Sequence, residues 1–325
     1  MSLINVAIIG GGQNSEHTVS LASAASVAGA LDPSRYRVTA LTIDRDGQWR
    51  DAAGNSLGIG GALRLLRDCD VVIPMVHGRG GEDGTLAALC EIIGVPYVGS
   101  GVEAGAIGMN KNMTKVVAES LGIRTAPAVL LDRASTPHYA FGGPVVVKPN
   151  SGGSSVGVTL VRSGADLRDA IDQALSMDDR VLVEQVMAGR EVDIAVIRRA
   201  DGSLLTSPAL EIEIDGLFDE HAKYGGGAVF RIPAALDASS LVDLERSAEL
   251  MYDALGCSGV ARFDFFLTSD GLVLNEVNTT PGFTAQSQVP RMFASAGIPY
   301  EALLDLLISD ALASTNRLTL QKTGQ

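Results

Sequence analysis

The segment INVAIIGGGQNSEHTVSLASAASVAGAL constrains the fold more than any other part of the chain. An apolar, β-branched run passes through glycines directly into an Ala/Ser-rich helix, expected from about Glu16 to Leu31. Strand and helix then keep alternating: YRVTALTI and DVVIPMV read as strands, TLAALCEIIG as a helix and PYVG as a short strand. This pattern implies a parallel sheet, because parallel neighbours are joined through crossovers.

From about Ser100 the pattern changes. A helix over NKNMTKVVAESLG precedes the strand candidates APAVLL, PVVVKP, RVLVEQV and GREVDIAVIRR. The irregular stretch EIDGLFDEHAKYGGGAVFRIPA follows, then a helix over SSLVDLERSAELMYDALG. An irregular stretch of this length, holding Gly225, Gly226 and Gly227, reads as a functional lid rather than a plain connection. Domain boundaries are expected near residues 100 and 188, giving units 1–99, 100–188 and 189–325, and the polar tail STNRLTLQKTGQ is expected to be disordered.

Residues 261–282, ARFDFFLTSDGLVLNEVNTTPG, read as a hairpin in which polar residues interrupt two apolar strands. With Ser269, Asp270 and Gly271 as a three-residue loop, Asp264 lies opposite Glu276 and Arg262 opposite Asn278. All four then share one face, and Phe263, Phe265, Val273 and Val277 take the other. Two carboxylates ~4 Å apart at an effective dielectric of ~20 repel by roughly 4 kcal/mol, so a cation must sit with them. Arg262 is one candidate. Two carboxylates and an amide oxygen, with no histidine or cysteine, also make a hard oxygen set suited to Mg²⁺ shared with phosphate oxygens, and this is the preferred reading.

Charge and composition narrow the partners. Lys+Arg 25 against Asp+Glu 38 leaves a net charge of -13, which disfavours nucleic acid and anionic membrane surfaces, so any bound polyanion must be met locally. No apolar run approaches the ~20 residues of a membrane span, and the first residues lack the basic flank of a secretory signal, so a cytoplasmic protein is expected. Cys69, Cys90 and Cys257 stand far apart in apolar contexts and read as buried thiols.

The glycine-rich start only half matches a dinucleotide fingerprint. Ser15 replaces the third glycine, and Asp44 comes too late to serve as the ribose-binding acid, which argues against a dinucleotide-dependent oxidoreductase. Glu16, in the first helical turn, suits a substrate ammonium or merely the helix dipole. In VVVKPNSGGSSVGV, Lys148 ends an apolar strand, and the following amides and the hydroxyls of Ser154 and Ser155 are placed to wrap phosphates. Lys111 is ambiguous between solvent and phosphate. HGRGGEDG, from His77, follows a strand at its C-terminal end, where open α/β sheets bind ligands; Glu82 and Asp83 there read equally as helix caps. Glu184 and Glu191 fall near strand ends, where surface carboxylates are the default.

Together these motifs resemble the D-alanine:D-alanine ligase family of ATP-grasp carboxylate-amine ligases. The resemblance runs nearly end to end, through GGGQNSEHTVSL, HGRGGEDG, PYVGSG, NKNMTK, VVVKPNSGGSSVGV, VEQVMAGRE, AKY, ARFDFF and NEVNTTPGFTAQSQVP. It implies an α/β chain with an N-terminal Rossmann-like domain followed by a two-subdomain ATP-grasp fold. It also implies ATP as co-substrate, two Mg²⁺ (or Mn²⁺), D-alanine as substrate, a homodimer, and a role in peptidoglycan synthesis. By position, Lys111, Lys148 and Lys223 would meet phosphates, Glu184 and Met187 the adenine, and Glu191 the ribose. Asp264, Glu276 and Asn278 would hold metal, and Arg262 and the Gly282 amide would face an oxyanion. Glu16 and His77 would serve the first substrate, Ser287 and Gln288 the second, and Tyr224 would link to Ser154 and Glu16. The chain departs from the family pattern at Asn110, Gly152, Phe218 and Gln288, where Asp, Glu, Tyr and Leu are usual. These departures leave open a sister ligase with another acceptor.

Overall fold

The computed structural model describes residues 3–213 and 229–323. Its first sheet holds β1 (Ile4–Gly11), β2 (Tyr36–Ile43), β3 (Trp49–Arg50) and β4 (Val71–Pro74), in the order β3-β2-β1-β4. β1 runs parallel to both β2 and β4, as the strand–helix alternation requires. The helices are α1 (His17–Ala30), α2 (Gly58–Arg67) and α3 (Thr85–Ile93). Gly10 marks the closest approach of β1 to α1: a Cβ there would stand 2.7 Å from the Ala24 Cβ. The expected strand at PYVG reduces to one parallel bridge, Val72 with Tyr97.

Helices α4 (Val102–Met109) and α5 (Lys111–Ser120) lead to an antiparallel sheet of β5 (Ala128–Leu131), β6 (Val145–Pro149), β7 (Thr159–Val161) and β8 (Val181–Gln185), ordered β5-β8-β6-β7. α6 (Leu167–Leu175) shares its apolar core through Ile171 and Ala174.

The third sheet comprises β9 (Arg190–Arg198), β10 (Leu204–Thr206), β11 (Leu210–Glu213), β12 (Val229–Arg231), β13 (Val260–Thr268) and β14 (Gly271–Asn278). α7 (Ala238–Ala254), α8 (Gln288–Ser295) and α9 (Tyr300–Thr323) complete the chain. The polar tail read as disordered is helical through Thr323.

Period-two alternation along β9 decides what each face of this sheet does. Val192, Ile194 and Val196 point into a core with Phe263, Phe265 and α7, which Ala104, Ala118 and Ile123 of the α4–α5 segment also join. Ala195 and Ile197 share the opposite core with Val6 and Ile8 of the first sheet and with α8 and α9. The first and third sheets are therefore tied by one apolar cluster, which brings the ends of β1 and β4 to the loop after β14. Among the described residues no single helix is long and apolar enough to cross a membrane.

Candidate active site

The hairpin pairs as its polar pattern requires, Arg262 with Asn278 and Asp264 with Glu276, but by another route. Thr268 pairs with Gly271, so the loop has two residues, Ser269 and Asp270, and the register slips between Asp264 and Phe265. Asn275 is the extra residue of a bulge that restores the pairing toward the site. As a result Leu274, rather than Val273, joins Phe263, Phe265 and Val277 in the core.

Each carboxylate already has a cation. Arg262 donates to both oxygens of Asp264, at 2.7 and 2.8 Å, and Asn278 Nδ2 donates to Asp264 Oδ2 at 3.0 Å. Lys111 Nζ lies 2.9 Å from Glu276 Oε1 and donates to the Gly152 carbonyl at 2.5 Å. Burial alone would lower both cations' pKa values, but Asp264 for Arg262 and Glu276 for Lys111 more than offset it and raise them. The Arg262 ion pair that the sequence allowed is therefore present beside the oxygen set. Among the described residues no group of three or more His, Cys, Asp or Glu could hold a metal ion. Asp264, Glu276 and the Asn278 amide oxygen fit Mg²⁺ only if phosphate oxygens complete the shell.

The middle sheet supplies the other wall. Lys148 pairs with Leu182 and Val146 with Glu184, so Lys148 and Glu184 are diagonal neighbours on one face of antiparallel strands. Lys148 Nζ lies 2.7 Å from Glu184 Oε2, and Lys115 Nζ lies 2.8 Å from Glu184 Oε1. Burial pushes the Glu184 carboxyl up, but Lys148 and Lys115 outweigh it and hold the group below its usual value. Lys115 was missed in the sequence. Its only signal was the spacing of four from Lys111, which sets both lysines on one side of α5. Between the two sheets lies a cavity of about 720 Å³, lined by Lys111, Lys148, Glu184, Met187, Glu191, Asp264 and Glu276 among others. Seven residues expected to serve nucleotide and metal thus come together. Lys223, Tyr224 and Phe218 lie outside the described residues.

Beyond Gly153 the cavity meets the first domain. Ser154 donates to Glu16 Oε1, and Cβ atoms built on Gly153 and Gly78 would stand 2.8 and 2.2 Å from Glu16 Oε2. Ser154 and Ser155 have φ of 52° and 58°, left-handed values uncommon for residues with a Cβ, and Ser154 turns to Glu16 from this conformation.

His77 differs from its expected role. Its Nδ1 donates to the Thr280 carbonyl and its Nε2 accepts from Ser23 Oγ, both at 2.8 Å, and burial lowers its pKa. Ser23 Oγ also accepts from the Phe283 N–H, so the neutral imidazole fastens the loop after β14 rather than offering a nitrogen to substrate. Glu82 does the same: its oxygens accept from the N–H groups of Thr280 and Gly78, at 3.0 and 3.1 Å. Burial first and Glu16 second push its carboxyl up to about 7.

In that loop, none of the described residues accepts from the Gly282 N–H. Ser287 precedes α8 and accepts from the Thr284 N–H at 3.0 Å, which places its hydroxyl at a helix N-terminus. Gln288 turns inward: its Nε2 donates to Asp193 Oδ2 at 3.0 Å, and that oxygen lies 3.7 Å from Arg262 Nε. Asp193, also missed in the sequence, sits on β9 directly opposite Asp264. Asp44, just past β2, accepts from Arg50 and from the Asp46 and Gln48 amides, so its carboxylate is spent on its own turn.

Two antiparallel sheets closing on lysines and a carboxylate–amide set, beside a parallel α/β domain, define an ATP-grasp ligase. The family models described as D-ala D-ala ligase N-terminus and C-terminus match residues 5–61, 52–100 and 118–309. The chain is 38% identical to the D-alanine–D-alanine ligase of Corynebacterium aurimucosum over 350 residues, covering 95% of this chain and 98% of that one. It is 39% identical to the enzyme of the same name from Mycolicibacterium gilvum, over 95% and 97%. Among solved structures, the VanG D-Ala:D-Ser ligase of Enterococcus faecalis superposes with a TM-score of 0.84 at 31% identity, covering 95% of this chain and 100% of that one. The Bacillus anthracis D-alanine–D-alanine ligase complexed with ATP gives 0.79 at 27%, over 97% and 99%. The chain belongs to the D-alanine:D-alanine ligase family.

Proposed function

We propose that this protein joins two D-alanines to D-alanyl-D-alanine at the expense of ATP, for peptidoglycan precursor synthesis. The observation that carries this reading is the cavity, whose walls bring Lys111 and Lys148 to face the Asp264–Glu276 hairpin and whose far side opens at Gly153 toward Glu16. A carboxylate is a poor electrophile for an amine. The first D-alanine therefore attacks the γ-phosphorus, releasing ADP, and the second amine displaces phosphate from the resulting acyl phosphate. Lys111 and Lys148 offset charge on the phosphates, and Asp264, Glu276 and Asn278 would hold Mg²⁺, which when bound would supply further charge neutralisation. Glu16, oriented by Ser154, takes the first ammonium. Arg262, fixed by Asp264, and the Gly282 N–H face the tetrahedral oxyanion. Ser287 takes the second carboxylate, Met187 and Glu184 border the adenine, Glu191 the ribose, Lys223 serves the γ-phosphate and Tyr224 the choice of acceptor. The division near residues 100 and 188 separates substrate, nucleotide and metal walls, and the working form is a cytoplasmic homodimer.

One observation supports a second reading. Gln288, at the second-substrate position, is polar and bound to Asp193, and the solved neighbours include a D-Ala:D-Ser ligase. A sister ligase with a different acceptor is therefore the alternative. ADP release with D-alanine, D-serine, D-lactate and L-amino acids between pH 6 and 9, with products resolved by mass, decides between them. D-alanyl-D-alanine is expected with negligible depsipeptide, and a dominant product other than the D-alanine dipeptide would overturn the first reading.

A further inference from the structure

Glu184 is served by two lysines that are not equivalent. Lys148 lines the cavity with Glu184, whereas Lys115 is not among the lining residues. Lys115 is anchored in the protein, its Nζ donating to the Ala126 carbonyl at 2.9 Å. Both side chains are nearly buried, with relative exposures of 9% for Lys115 and 7% for Lys148, and the Glu184 side chain is 6% exposed. A carboxylate so placed needs a counter-ion at all times, because water cannot take over. Of these two lysines, only Lys148 faces the space where phosphates would lie. When it turns to them, one cation must stay behind.

We propose that Lys115 is a positioning residue for nucleotide binding: it remains the counter-ion of Glu184 and so releases Lys148 to the phosphates. The inference rests on the nucleotide reading of the cavity and names a residue that acts through two others. Without Lys115, Glu184 has Lys148 as its remaining cation and holds it back. The consequence is specific to phosphate, since adenosine makes no demand on Lys148.

The readout is the ratio of ADP affinity to adenosine affinity, by calorimetry for ADP and NMR titration for adenosine, with thermal melting to confirm folding. Lys115→Met is expected to lower the ratio about tenfold or more, on the scale of losing one partner of a buried charge pair. Glu184→Gln, which frees Lys148 without removing it, is expected to raise the ratio. The double variant should return to the wild-type ratio or above. An unchanged ratio in Lys115→Met, with ADP and adenosine weakened alike, makes Lys115 structural and overturns the proposal. So does a fall of the ratio in Glu184→Gln, which carries the test alone if Lys115→Met does not fold. Failure of the wild-type protein to bind ADP would instead overturn the nucleotide reading itself.

Discussion

Replacing Gln288 by leucine should cost roughly 0.5–2 kcal/mol of stability, and the reasons are local. The Gln288 amide donates to a carboxylate that is 1% exposed, so water cannot replace the lost donor. Hydrogen bonds to charged groups contribute ~1.5–3 kcal/mol. Leucine offsets ~1 kcal/mol of this by placing more apolar surface at a position only 9% exposed. Unfolding entropy of ~2.1 cal/mol/K per residue makes ~0.7 kcal/mol/K for a chain of this length, so the melting temperature should fall by about 2 °C. Arg262 should also move: its Nε lies 3.7 Å from the same Asp193 oxygen, a gap that a small shift closes. That draws the guanidinium from Asp264 and weakens turnover. Calorimetric melting of wild type, Gln288→Leu, Asp193→Asn and the double variant, with coupled ADP release, tests both effects. Strictly additive melting shifts, or a Gln288→Leu protein melting with the wild type, would refute the argument, because a real pair must show coupling.

Three further outcomes are expected. Glu276→Gln should remove most turnover while leaving the fold intact, since the hairpin is packed by Phe263, Phe265, Leu274 and Val277; ADP release unchanged at saturating Mg²⁺ would make the hairpin purely structural. Lys148→Ala should raise the KM for ATP far more than that for D-alanine, and equal loss for both counts against the phosphate assignment. Glu82, whose carboxyl rises from 4.5 unfolded to about 7 folded, binds its proton more tightly in the native state. Its contribution is therefore full below pH 4.5 and lost as pH rises through 7, on the order of 3 kcal/mol. Glu82→Gln should flatten that slope in denaturant titrations at pH 5 to 8, and a slope identical to wild type would exclude Glu82 as its source.

Much of the site was legible because its chemistry repeats with simple periods. Arg262, Asp264, Glu276 and Asn278 alternate with aromatic and branched residues, and alternation in a strand is a direct statement about faces. Lys148 was conspicuous as a cation ending an apolar strand. The helix at Gly58–Arg67 was harder to read: apolar residues of GIGGALRLLR recur at helical spacing, but its three glycines weaken the intrinsic propensity, which packing of Ala62 and Leu66 against the first sheet outweighs. His77 illustrates a different limit. A histidine after a strand in a glycine-rich loop suggests an exposed ligand, yet its ring is closed off by Ser23 and by Thr280, a residue 203 positions away.

The elements and the donor chemistry are written in the local sequence: where strand gives way to helix, which strand face is polar, and that lysines, carboxylates and amides rather than thiols line the site. Those properties depend on neighbours within a few residues, through backbone geometry and side-chain type. The pairings arise only in the folded chain. The bulge at Asn275, the sharing of Glu184 by Lys148 and Lys115, the Gln288–Asp193 bond and the raised carboxyl of Glu82 depend on which distant segments meet. A charge buried where three segments converge takes its ionisation and its partner from all of them, and no local window of sequence contains that sum.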